Sequence, residues 1–129
     1  MGAWLRWMIV DCIDPERLAA FWGALLGRTV RERRGPYVFL ATGRSRGYHL
    51  GFQRVAEPKT GKNRVHPDLI CDDVHATAAR VEALGGTQVQ GAESGGFLVM
   101  ADPEGNEFCL LPKGPLHMDE DGNAHYLEP

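Results

Sequence analysis

A helix start spelled Asp14-Pro15-Glu16 and a helix stop at Gly27 both return 58 residues later, as Asp72 and Gly85. Each part of the first signal has a physical reason. Asp14 can cap the orphan amides of a first turn, Pro15 suits the first helical position, and Glu16 complements the helix dipole. Leu18, Phe21, Trp22 and Leu25 then repeat at helical spacing, which gives the helix one apolar face. A strand pattern runs from Leu5 to Asp11 before it. Three more follow, at Thr29 to Arg33, Tyr37 to Thr42 and Tyr48 to Val55, parted by Arg34-Gly35-Pro36 and by Gly43-Arg44-Ser45-Arg46-Gly47.

The second half repeats that order. A strand from Arg64 to Cys71 leads to a capping Asp72 or Asp73, a helix carrying Val74, Ala78, Val81 and Leu84, and the stop Gly85-Gly86. Strands at Thr87 to Gln90, Gly96 to Ala101 and Asn106 to Leu111 complete it. The chain therefore reads as α+β, two tandem βαβββ modules at about 5–55 and 64–111, within one domain over residues 1–112. Ala56 to Asn63 is a polar linker. Residues 113–129 form a C-terminal extension, in which Asp121-Gly122 either turns a small hairpin or sits in a loose tail. A shift of 58 residues also lays Met8 on His66.

Composition narrows the partners. A net charge of −3 argues against nucleic acid, whose binding needs clustered Lys and Arg. No apolar run is long enough for a membrane helix, and the N-terminus lacks the pattern of a secretory signal. Three cysteines, Cys12, Cys71 and Cys109, form no CxxC pair, so reduced thiols in a cytoplasmic protein are expected. Pro58-Lys59-Thr60-Gly61-Lys62 lacks the upstream glycine and the Ser or Thr of a phosphate loop.

Asp102-Pro103-Glu104-Gly105-Asn106 joins two strand patterns as a hairpin turn, after which 107, 109 and 111 share one face. This stretch, with Asp14-Pro15-Glu16-Arg17-Leu18-Ala19-Ala20-Phe21-Trp22 and Lys62-Asn63-Arg64-Val65-His66, resembles the vicinal oxygen chelate superfamily, above all its glyoxalase-like small proteins. That superfamily includes glyoxalase I, extradiol dioxygenases and bleomycin-resistance proteins. The resemblance implies an eight-stranded cup around a small-molecule cavity, often completed by a homodimer. In metal-using members, one side chain from each of four strands grips a divalent ion, which stabilises an enolate or catecholate as it forms.

Carried onto this chain, the resemblance places His66 at a ligand position and its first-module counterpart near Met8. The last-strand carboxylate position falls on Cys109, with Glu107 two residues earlier on the same face, and its counterpart falls around Gly51 to Gln53. The expected cavity residues are Gln53, His66, Glu107, Cys109 and His49. A metal, if bound, would use His66, Glu107 and Cys109; without one, His66 and Asp68 form a candidate acid-base pair. His66 could equally be a structural histidine bonded to Asp68. Three readings stay open: a small-molecule-binding protein without the full four-ligand metal site, a metal-dependent lyase, isomerase or dioxygenase, and an antibiotic-sequestering protein. Trp4, Trp7 and Trp22 are candidates for core or for an aromatic pocket.

Overall fold

A computed structural model describes residues 2–42, 49–90, 95–114 and 116–126. The chain divides into two compact units, residues 1–60 and 61–129. The described strands form one four-stranded mixed sheet in each unit, with no closed barrel, and a separate two-stranded ribbon near the C-terminus.

The first unit runs β1 (Trp7–Cys12), α1 (Pro15–Leu26), β2 (Val30–Arg34), β3 (Tyr37–Leu40) and β4 (His49–Arg54), in the sheet order β1-β4-β3-β2. β1 lies parallel to β4 and the other pairs are antiparallel. Asp14 caps α1, its Oδ1 accepting from the Arg17 amide at 3.1 Å, and Gly27 ends it in the left-handed region at φ 67°. Leu18, Ala19, Phe21 and Trp22 are buried on the helix, while Cys12, Val38, Leu40 and Phe52 are buried on the sheet. Each large side chain in such a core is worth about 1.5–3 kcal/mol of apolar burial. Because strand side chains alternate, the other sheet face carries Trp7, Ile9, His49, Gly51, Gln53, Tyr37 and Phe39. The Tyr48 end of β4 and the Gly43 to Gly47 turn lie outside the described residues.

The second unit runs β5 (Asp68–Cys71), α2 (Val74–Ala83), β6 (Thr87–Gln90), β7 (Leu98–Ala101) and β8 (Glu107–Pro112), in the order β5-β8-β7-β6. Asp73, not Asp72, is the cap, accepting from the Ala76 amide at 3.0 Å, and Asp72 pairs with Lys113 instead. The strand expected from Arg64 begins only at Asp68. Pro67 has no N–H to give a ladder, although its carbonyl accepts from the Cys109 amide at 2.9 Å. Leu98, Met100, Phe108 and Leu110 are buried with Ala78 and Val81 of α2. The opposite face carries Asp68, Ile70, Val99, Glu107, Cys109 and Leu111.

Asp102 ties the turn before β8. It is 3% exposed, and its carboxylate accepts from the Glu104 amide, the Asn106 amide and the Asn106 side chain at 2.9–3.0 Å. Gly105 supplies the left-handed residue at φ 87°.

The tail forms a hairpin of β9 (Leu116–Met118) and β10 (Ala124–Tyr126). Asp119 accepts from the amides of Asp121 and Asn123 and meets His125 Nε2 at 2.8 Å. The His125 hydrogen bond, followed by that of the Asn123 amide, holds the Asp119 carboxyl down at about 2 from an ordinary 3.8. A carboxyl lowered by folding favours the folded turn above its unfolded pKa, and that contribution fades as pH falls toward the folded value. Amide shifts of Gly122 and Asn123 are therefore expected to hold steady above pH 4 and to move between pH 4 and 2. Asp119→Asn should abolish this titration.

Candidate functional site

In the second unit, the β5-β8 register sets Asp68 opposite Cys109, and His66 stands just ahead of the strand. His66 Nδ1 lies 3.1 Å from Asp68 Oδ1, and Cys109 Sγ lies 4.0 Å from the same Nδ1. The donor atoms of all three side chains fall within 4.8 Å of one another, the one such group among the described residues. The His66 and Asp68 side chains are 45% and 47% exposed, while Cys109 is half-buried.

Burial, the Asp68 charge and a hydrogen bond to Asp68 push the Cys109 thiol up to about 11, with Lys62 pulling weakly the other way. Cys109 is thus a thiol at neutral pH, not a nucleophilic thiolate. The Asp68 carboxylate favours the His66 tautomer that carries its hydrogen on Nδ1, and in that tautomer the lone pair is on Nε2. Asp68 is the hub, and His66 Nε2 is the group able to take a proton or accept a hydrogen bond. Alkylation of Cys109 is expected to keep accelerating up to about pH 11. Asp68→Asn removes the charge and should move that midpoint down, as mass-mapped maleimide rates would report.

Glu107 stands apart from this group. Its Oε2 accepts from the Asn63 amide at 2.9 Å, and the Asn63 side chain donates to the Glu107 carbonyl at 3.1 Å. Asn63 belongs to a stretch that the sequence singles out, but no chemistry-bearing pattern marks it as Glu107's partner.

In the first unit, His49 packs against Trp7 with ring centroids 4.6 Å apart, and its Nδ1 is buried without a hydrogen-bond partner. Trp7 also meets Phe39 at 4.7 Å, and Phe39 stacks on Tyr37 at 5.5 Å. Gln53 follows on the same face, half-buried, its backbone carbonyl accepting from Cys12 Sγ. Trp22 is core at 5% exposed and Trp4 is 84% exposed, so of the three tryptophans only Trp7 joins an aromatic face. Tyr37-Val38-Phe39-Leu40 is apolar throughout, so only its aromatic–aliphatic alternation distinguishes that face.

The register corrects one assignment. Ile9 pairs with Gly51 as Asp68 pairs with Cys109, and the two N-caps are Asp14 and Asp73, so the first strands are offset by 59 residues. The counterpart of His66 is Trp7, not Met8. The glycines are 58 apart because α2 is two residues shorter than α1 and Gly85 lies one residue beyond its C-cap Leu84, whereas Gly27 is itself the C-cap of α1; the N-caps and ladders track the strands themselves. Trp7 and Gly51 offer no ligand atom. The residues therefore do not fit a four-ligand site for a hard divalent ion, which needs oxygen and imidazole donors.

Residues 7–111 match the glyoxalase-like domain model, and the chain belongs to that family. The fold is shared with a glyoxalase/bleomycin resistance protein/dioxygenase family enzyme of Burkholderia phytofirmans, at 20% identity and TM-score 0.70 over 84% of this chain and 97% of that one. A glyoxalase-related enzyme of Fulvimarina pelagi matches at 19% identity and TM-score 0.68, over 95% and 97%. The trypanothione-dependent glyoxalase I of Leishmania major matches at 21% identity and TM-score 0.62, over 87% and 88%. No curated protein matches significantly. No helix among the described residues is long and apolar enough to cross a membrane.

Proposed function

We propose that this chain is a glyoxalase-like small-molecule-binding protein whose organic ligand meets the His66-Asp68-Cys109 group of the second unit. The observation that carries the reading is the pairing of His66 Nδ1 with Asp68 Oδ1 at 3.1 Å: in the Nδ1–H tautomer that this pairing favours, His66 Nε2 is left to receive a hydroxyl or an acidic C–H of the ligand.

A thermal-shift screen across metabolites and antibiotics tests it. A native-state ligand at about 100 times its Kd stabilises by about 2.7 kcal/mol. The shift should vanish in His66→Ala. A ligand whose shift survives both His66→Ala and Asp68→Ala would move the site elsewhere.

One observation favours a second reading, a metal-dependent lyase, isomerase or dioxygenase. Imidazole, carboxylate and thiol donors within 4.8 Å form a set that zinc accepts. Glu107 could join only by releasing Asn63. Stoichiometric zinc in equilibrium dialysis, lost on His66→Ala, would support this reading over the first. A homodimer belongs to the proposal, supported by the exposure of Trp4 and Leu5, 84% and 60%. Light scattering on the eluting peak would measure it.

A further inference from the structure

We propose that Glu107 is a positioning residue, which fastens the segment from Gly61 to His66 onto the start of β8 and thereby sets His66 against Asp68 and Cys109. The proposal rests on the reading of those three residues as the site, and it gives Glu107 a role other than that of a ligand.

Two hydrogen bonds run in opposite senses between the same two residues. The Glu107 carboxylate accepts from the Asn63 backbone amide at 2.9 Å, while the Asn63 side chain donates to the Glu107 backbone carbonyl at 3.1 Å. Both are part-buried, and a charged acceptor strengthens the first. Residues 61–67 belong to no helix or strand, and Arg64, Val65, His66 and Pro67 are all exposed. Gly61 sits at φ 72°, so the chain turns sharply just before Asn63. From Asn63 only Arg64 and Val65 separate the fastening from His66, and at the far end the Pro67 carbonyl receives the Cys109 amide. The segment is pinned at 63 and at 67, both times to β8, with His66 held between. Lys62, next to Asn63, is brought close enough to act on the Cys109 thiol. Glu107 and Cys109 share a strand face, so one strand anchors the segment and supplies the group it covers.

The test is alkylation of the native protein by N-ethylmaleimide at fixed pH, with each cysteine followed by mass spectrometry. Cys12 and Cys71 are buried and serve as internal reporters of global opening. Glu107→Ala is expected to speed Cys109 alkylation by about tenfold while Cys12 and Cys71 stay slow, the signature of a local opening. Glu107→Gln keeps an oxygen that can accept from the Asn63 amide and should restore most of the protection. Asn63→Ala removes one of the two bonds and should fall between, and adding it to Glu107→Ala should change little further. An unchanged Cys109 rate in Glu107→Ala would overturn the proposal. So would equal acceleration at all three cysteines, which marks a merely structural role. If Glu107→Ala fails to fold, Asn63→Ala decides by the same comparison. The rates read the segment whether or not a ligand is found. Failure of the functional reading would therefore leave the Glu107 effect intact, and an unchanged rate would leave ligand shifts untouched.

Discussion

Asp102→Ala is expected to lower the unfolding free energy by about 3 kcal/mol, read as a fall in the urea midpoint with an unchanged slope. The carboxylate is buried at 3% exposure and satisfies two backbone amides and the Asn106 side chain. Alanine removes every acceptor at once and leaves those donors facing protein. Each unsatisfied buried donor costs about 1–3 kcal/mol, and partial entry of water keeps the total below the simple sum. Asp102→Asn keeps one oxygen and should lose about half as much. A loss under about 0.5 kcal/mol, the range of ordinary surface substitutions, would mean that the turn holds itself without the side chain.

Gly23→Ala should destabilise by about 2 kcal/mol, against the usual sign for a helix glycine. Helix propensity alone favours alanine by about 1 kcal/mol at an interior position. Gly23, however, lies where the chain folds back beneath the end of α1, and its carbonyl accepts from the Arg28 amide at 2.8 Å. An added Cβ would stand 2.7 Å from the Arg28 carbonyl oxygen, a backbone atom that no rotamer change can move. Either the helix end or the Arg28 peptide must shift. Thermal unfolding of the variant checks it, and a rise in melting temperature would show that the close approach relaxes without cost.

The two modules were legible because their punctuation is local chemistry: a capping Asp, apolar residues at helical spacing, a stopping Gly, and Asp-Pro-Glu-Gly-Asn before the last strand. The grouping of His66 with Cys109 was legible too, but only by counting along a family resemblance. What escaped was whatever depends on a partner distant in sequence. Nothing in Asn63 announces that it holds Glu107, 44 residues away. The start of β5 was missed because Val65 looks like strand while Pro67, which cannot donate, ends the ladder on that side. Counting from the glycines after the helices displaces the counterpart positions by one residue, because helix length is freer to change than sheet register.

That single residue has a practical side for anyone reshaping the first unit. In a pleated strand, one step along the chain is a step through the sheet, from the face opposite the helix to the face beneath it. A donor grafted at Met8 would enter beside Val10 and Cys12, on the helix side, and meet no partner donor. A donor at Trp7 with a second at Gly51 would stand on the same face as His49 and Gln53. The graft at 51 also requires a smaller side chain at Phe39, whose ring would lie 2.8 Å from the new Cβ, and room at Ile9, 3.0 Å away. Rebuilding a binding centre there is thus a task of at least three coupled substitutions, with Phe39 the one to change first.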